Sequence, residues 1–128
     1  MLIEDVGMGV AHVIANHHRD DRGVLAETFR ADLLCDAGWP LHTWTQGNLS
    51  VNLNRVFRGV HFSTAKQGQA KYVTCVDGAM YDYAVDLREG SPTFGRTATV
   101  RLVSGESVYV PAGFGHGFAI VQLSLIHI

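Results

Sequence analysis

Gly105-Glu106-Ser107-Val108-Tyr109-Val110-Pro111-Ala112-Gly113-Phe114-Gly115-His116 is the stretch from which the fold is read. Ser107 to Val110 is an apolar, β-branched run of the kind that fits a pleated surface. Pro111 ends that strand because it has no N–H to give to a ladder, Gly113 permits a bend, and His116 returns on the next strand with its side chain aimed inward. Working outward, Ala98 to Val103 alternates in the same way, and Ser104-Gly105-Glu106 reads as the turn between the two strands. Upstream, Tyr72 to Val76 and Ala79 to Leu87 flank Asp77-Gly78, a dipeptide that favours a tight hairpin turn. Two hairpins in a row predict an all-β meander or jelly roll. The one helical candidate is Arg30 to Ala37, short and peripheral, with Leu33 and Leu34 as its apolar stripe and Gly38 as its stop.

The 128 residues suit one domain spanning 1–128, and 47% apolar against 17% charged residues supply a core rather than a disordered chain. Ten basic and twelve acidic side chains leave a net charge of −2 with no basic cluster, which excludes a nucleic-acid footprint. Glu4 and Asp5 stand where a secretion signal would carry basic residues, and no uncharged run reaches the ~18 residues of a membrane span. A cytoplasmic chain without a membrane partner is expected. Cys35 and Cys75 lack any ligand spacing and are expected to be reduced and buried.

The opening stretch fits Gly-x5-Pro-x-Gly-x2-His and resembles the second signature of the cupin superfamily, whose double-stranded β-helix (jelly-roll) barrels enclose their active sites. The first cupin signature would add a His-x-His pair and a glutamate for a metal. Arg58-Gly59-Val60-His61-Phe62-Ser63 holds one histidine, and ten residues after His61 stands Lys71, a cation that would repel a metal ion. No metal is expected, since catalytic zinc takes three protein ligands. His61, His116, Lys71 and Arg58 suit proton abstraction beside a carbonyl instead. A neutral imidazole takes the proton, and an ammonium hydrogen-bonds the ketone oxygen as the enolate forms. Arg22 and Arg58 could hold an anionic handle by forked hydrogen bonds, whereas Arg55 reads as a solvated charge.

From about Gly9 to Val121 the chain resembles the dTDP-4-dehydrorhamnose 3,5-epimerase family and its sugar-nucleotide epimerase relatives. The blocks are Asp20-Asp21-Arg22-Gly23 with Glu27 and Phe29, Gln46-Gly47-Asn48-Leu49-Ser50, Arg58-Gly59-Val60-His61-Phe62 and Gly68-Gln69-Ala70-Lys71. They continue with Val85-Asp86-Leu87-Arg88, Gly90-Ser91-Pro92-Thr93-Phe94-Gly95 and His116-Gly117-Phe118. The resemblance implies cofactor-free epimerisation of a dTDP-4-dehydro-6-deoxy-hexose at carbon 3, carbon 5 or both. It implies His61 as the base and Lys71 facing the 4-keto oxygen. Arg22, Glu27, Gln46, Asn48, Arg58 and His116 fall on substrate-binding positions, and a homodimer is implied in which Arg22 reaches the diphosphate. Asp86, Arg88 and Phe94 are read as structural.

Family members continue past His-Gly-Phe with a tyrosine that returns the proton on the opposite face and an Asp-Pro segment whose aspartate orients the basic histidine, whereas Tyr72, Tyr81, Tyr83 and Tyr109 all precede His116. The expectation is therefore a domain incomplete at its C-terminus, with 123–128 a non-native tail. The competing readings are a non-catalytic sugar-nucleotide binder and a metal-dependent cupin oxygenase. Two geometric expectations follow. His61, Lys71 and His116 should converge in one cavity, and the segment before Asp20 should add a strand to a partner's sheet, so that burial of Val10, Val13 and Ile14 depends on the partner.

Overall fold

The computed structural model describes residues 1–39, 44, 46–62 and 69–121. Ten strands and one helix lie among them: β1 (Leu2–Gly7), β2 (Val10–Ile14), β3 (His17–Asp20), β4 (Gly23–Ala26), α1 (Ala31–Asp36), β5 (Phe57–His61), β6 (Lys71–Thr74), β7 (Ala79–Asp86), β8 (Thr97–Val103), β9 (Glu106–Val110) and β10 (Phe114–Val121). One sheet runs β1-β2-β9-β6, a second runs β5-β10-β7-β8, and β3 and β4 form a separate hairpin. The expected tail, 123–128, lies outside the described residues.

Both four-stranded sheets contribute to one apolar cluster. Val10, Val108 and Val110 come from the first, and Met80, Ala84, Val100, Leu102 and Phe114 from the second. The alternation of β8, in which Ala98, Val100 and Leu102 are buried while Thr97, Thr99 and Arg101 are exposed, is the period of a strand with one covered face. β9 departs from it. Ser107 and Tyr109 on its other face are buried as well, and Ser107 meets Thr74 of β6 at 2.7 Å between hydroxyl oxygens.

The all-β jelly-roll expectation matches this pair of packed sheets, but neither expected hairpin exists. β6 pairs with β9, and β7 pairs with β8 and β10, so Asp77-Gly78 carries the chain from one sheet to the other. Ser104-Gly105 does the same between β8 and β9. These corners clasp each other. Gly105 N–H donates to the Cys75 carbonyl at 2.7 Å, Cys75 N–H to the Glu106 carbonyl at 2.9 Å, and Gly78 N–H to Ser104 Oγ at 3.0 Å. A turn dipeptide reverses the chain but does not choose the strand that follows as the hydrogen-bonding partner.

Two further expectations are corrected. Cys35 is exposed, since it follows Leu34 on a one-faced helix, whereas Cys75 is buried. Val10 and Val13 are 0% and 1% exposed within this chain alone, because β2 is sandwiched between β1 and β9. Their burial needs no partner's strand.

β7 ends in a buried carboxylate. Asp86 accepts from the Arg88 backbone N–H and Nε at 3.0 Å each through Oδ1, and through Oδ2 from Arg88 Nη2 at 3.0 Å, Ser91 Oγ at 2.6 Å and the Thr93 hydroxyl. Arg88 in turn lies 4.8 Å over the Phe114 ring. The Arg88 hydrogen bond, helped by Ser91 and Thr93, holds the Asp86 carboxyl well below the usual carboxylate range despite its burial. A depressed folded value stabilises the native state above the unfolded value near 3.9 and is lost as pH falls below it. Asp86→Asn should therefore lower unfolding free energy at neutral pH by about 1–3 kcal/mol. In urea titrations that deficit should shrink as pH falls below about 4; a deficit independent of pH would show that the charge of Asp86 is immaterial.

Candidate functional site

The site is built on the β5-β10-β7 part of the second sheet. His116 on β10 lies opposite Ala84 of β7 on one side and His61 of β5 on the other. Two residues on, Phe118 lies opposite Asp82 and Arg58. Directly opposed residues of antiparallel strands project from the same face. His61, His116, Arg58 and Asp82 thus share the face on which Ala84 enters the core.

This sharing depends on an irregularity. Arg58 and His61 are three residues apart and would point to opposite faces of a regular strand. Between the two registered pairs, however, Gly59 and Val60 of β5 stand against Gly117 alone of β10, and the register shifts there. Such a bulge inserts one residue and restores both side chains to one face. Gly117 makes it possible: a Cβ there would sit 2.9 Å from the Arg58 carbonyl oxygen and 3.3 Å from Gly59 C and Val60 N, all backbone atoms.

Lys71 reaches the site from the other sheet. It opens β6 opposite Val110, whose side chain is in the core, so the lysine stem is directed between the sheets. Its charge acts on Asp82 across that space.

The sequence reading missed Asp82. It is 1% exposed, and its Oδ2 lies 2.6 Å from His116 Nε2. Its Oδ1 is buried with no hydrogen-bond partner among the described residues. Burial pushes the Asp82 carboxyl up, against the opposing pull of the His116 contact and of Lys71. The signal was present in the alternation of β7, which puts Met80, Asp82, Ala84 and Asp86 on one buried face.

The remaining candidates lie in the periphery. Arg22 is at the tip of the β3–β4 hairpin with its side chain 86% exposed and its Nη2 2.6 Å from Asp20 Oδ2. Glu27 accepts from Arg30 Nη1 at 3.1 Å and borders an open cleft of about 380 Å³ that also touches Met1, Asn16, His18, Leu25 and Ala26. That cleft includes none of the inward-facing groups. Gln46 and Asn48 are exposed on a segment outside the sheets. The same segment meets the site through Asn52, whose Oδ1 accepts from Arg58 Nε at 2.6 Å. Tyr72, adjacent to Lys71, packs on Phe29 at 5.0 Å between ring centroids and donates to the Thr28 carbonyl. The strand carrying Lys71 is thereby joined to the segment after β4.

Among the described residues no group of three or more His, Cys, Asp or Glu side chains is placed to hold a metal ion. None of their helices is long and apolar enough to cross a membrane. The set on this face comprises the exposed imidazole of His61 beside that of His116, which is paired to a carboxylate, with the cationic side chains of Arg58 and Lys71. It can take a proton and stabilise a developing oxyanion.

The family model described as dTDP-4-dehydrorhamnose 3,5-epimerase matches residues 7–126. A dTDP-4-dehydrorhamnose 3-epimerase of Streptomyces niveus is 46% identical over 117 residues, which is 89% of this chain and 56% of the relative. A dTDP-4-dehydrorhamnose 3,5-epimerase of Mycobacterium tuberculosis is 42% identical over 121 residues, 89% of this chain and 57% of the relative. The chain thus spans little more than half the length of these relatives. Among solved structures, a 4-keto-6-deoxy sugar epimerase from the novobiocin cluster of Streptomyces spheroides superposes with a TM-score of 0.85 at 41% identity. That match covers 95% of this chain and 63% of the other.

The bulge generates a test of its own. Gly117→Ala must push β5 off β10, and overpacking of this kind costs about 1–3 kcal/mol. Urea unfolding should show that loss, whereas an unchanged midpoint would mean that β5 moves freely and that the bulge does not hold the site.

Proposed function

The chain belongs to the dTDP-4-dehydrorhamnose 3,5-epimerase family, and from that premise we propose that it epimerises a dTDP-4-dehydro-6-deoxy-hexose at carbon 3, carbon 5 or both. The single observation that carries this reading is the shared face of His61, His116 and Arg58, with Lys71 directed at it from the opposite sheet.

In the proposed reaction the His61 imidazole takes the proton from the carbon beside the 4-keto group. The C–H electron pair becomes the C–C π bond of an enolate, and the carbonyl π pair moves to oxygen. The Lys71 ammonium hydrogen-bonds that oxygen, where the negative charge develops. Protonation of the same carbon from the opposite face returns the ketone with its configuration inverted. No electrons are gained or lost overall, so the reaction needs no redox cofactor, and the Lys71 ammonium supplies the positive charge at the developing oxyanion. Arg58 and His116 are proposed to hold the sugar, and Gln46 and Asn48 to contact the substrate from the segment preceding β5. Arg22 and Glu27 are assigned to the nucleotide end.

The exposed position of Arg22 on a two-stranded hairpin fits a group that reaches a ligand held largely by another protomer. A homodimer is therefore part of the proposal, as is action in the cytoplasm, where sugar nucleotides are made. The Streptomyces niveus and Mycobacterium tuberculosis relatives carry different names, 3-epimerase and 3,5-epimerase, at similar identity.

Incubation with a dTDP-4-keto-6-deoxy sugar in deuterated water should incorporate deuterium beside the ketone. His61→Ala should lower that exchange by about 10²- to 10⁴-fold, and Lys71→Ala by about 10²- to 10³-fold through lost oxyanion stabilisation. Tight sugar-nucleotide binding without exchange would make the chain a binder rather than an epimerase. Undiminished exchange in His61→Ala would remove His61 as the base.

A further inference from the structure

β7 carries two buried carboxylates four residues apart, and they are treated differently. Asp86 receives five donors, whereas Asp82 receives one, at Oδ2, and its buried Oδ1 has none among the described residues. A buried acceptor left unmade costs free energy, so such groups mark places where a partner arrives. Two donors face Asp82: the His116 ring, already at 2.6 Å, and the Lys71 ammonium, whose charge is felt at the carboxylate. Among standard side chains only a carboxylate offers two acceptor oxygens to two donors at once, since an amide offers one acceptor and one donor group.

We propose that Asp82 is a positioning residue for the sugar site. Its Oδ2 accepts the Nε2 proton of His116, and its Oδ1 takes up the Lys71 ammonium when a sugar nucleotide is bound. The first contact fixes His116 with Nε2 as donor, so that in the neutral ring Nδ1 is left as an acceptor for a substrate hydroxyl. The second restrains Lys71, a long side chain with four rotatable bonds, in the direction of the ketone oxygen. The proposal rests on the epimerase reading for its kinetic consequence and on geometry alone for its spectroscopic one.

The two consequences are tested separately on the full chain. In 15N NMR of the unliganded protein His116 should carry a proton on Nε2. A ring protonated on Nδ1 alone would mean that a neutral Asp82 carboxyl donates to Nε2, which overturns the proposal. With dTDP added as the probe, a Lys71 ammonium resonance protected from water exchange should appear and should be lost in Asp82→Asn. A resonance absent from the wild type, or equally protected in Asp82→Asn, overturns the lysine contact. In turnover of the keto sugar Asp82→Asn, checked as folded by near-UV circular dichroism, should lose at least about tenfold in kcat. KM should change less than about threefold, because the residue does not itself touch substrate. Unchanged kcat overturns the positioning role. Should no keto sugar turn over, the epimerase reading fails while the two NMR results still decide the place of Asp82. Should Asp82→Asn not fold, the wild-type His116 spectrum alone upholds or overturns the Oδ2 contact, and an exchange-protected ammonium in the dTDP-bound wild type does the same for Lys71.

Discussion

The candidate site depends on one backbone constraint, the bulge in β5 opposite Gly117. Strand geometry sends residues three apart to opposite faces, so without the extra residue either Arg58 or His61 would leave the space between the sheets. The bulge needs the β5 backbone to lie almost on Gly117, at separations no Cβ would tolerate. A missing side chain on β10 thus decides which side chains of β5 share the face of His116. Phe57, on the other face, packs toward Tyr83 at 6.2 Å between ring centroids instead.

The contrast between Asp82 and Asp86 separates what holds the fold from what is available for chemistry. Burial raises the pKa of both, and hydrogen-bond donors lower it again. At Asp86 the donors win decisively, and the carboxylate pins the end of β7 to the loop that follows. At Asp82 burial wins, one oxygen has no donor among the described residues, and the groups that act on it are His116 and Lys71. A side chain fully satisfied by its own fold has nothing left to offer a ligand, whereas an under-satisfied one does.

Much of this was legible in the residue order. The short alternating runs announced strands, Pro111 and Gly113 announced the reversal into β10, and the motifs that carry His61, Lys71 and His116 singled out the side chains that the two sheets bring to the candidate site. What misled was local: Asp77-Gly78 and Ser104-Gly105 look like hairpin turns because a turn dipeptide carries no information about which distant strand offers the better apolar face. Likewise, Val10 and Val13 looked like candidates for a partner's surface until β2 was found between β1 and β9 of the same chain. Cys35 was judged by its residue type, although a six-residue helix that buries only Leu34 leaves such a position exposed.

The sequence by itself determined the strand-rich character, the family to which the chain is similar, and the residue types of the candidate site, because these rest on local periodicity and on motifs a few residues long. Only the tertiary structure decided that β6 and β7 enter different sheets, that a bulge turns Arg58 and His61 to the same side, and that Asp82 stands against His116. Those outcomes depend on cross-strand register between segments tens of residues apart. A shift of one residue in that register exchanges the inner and outer faces of a strand.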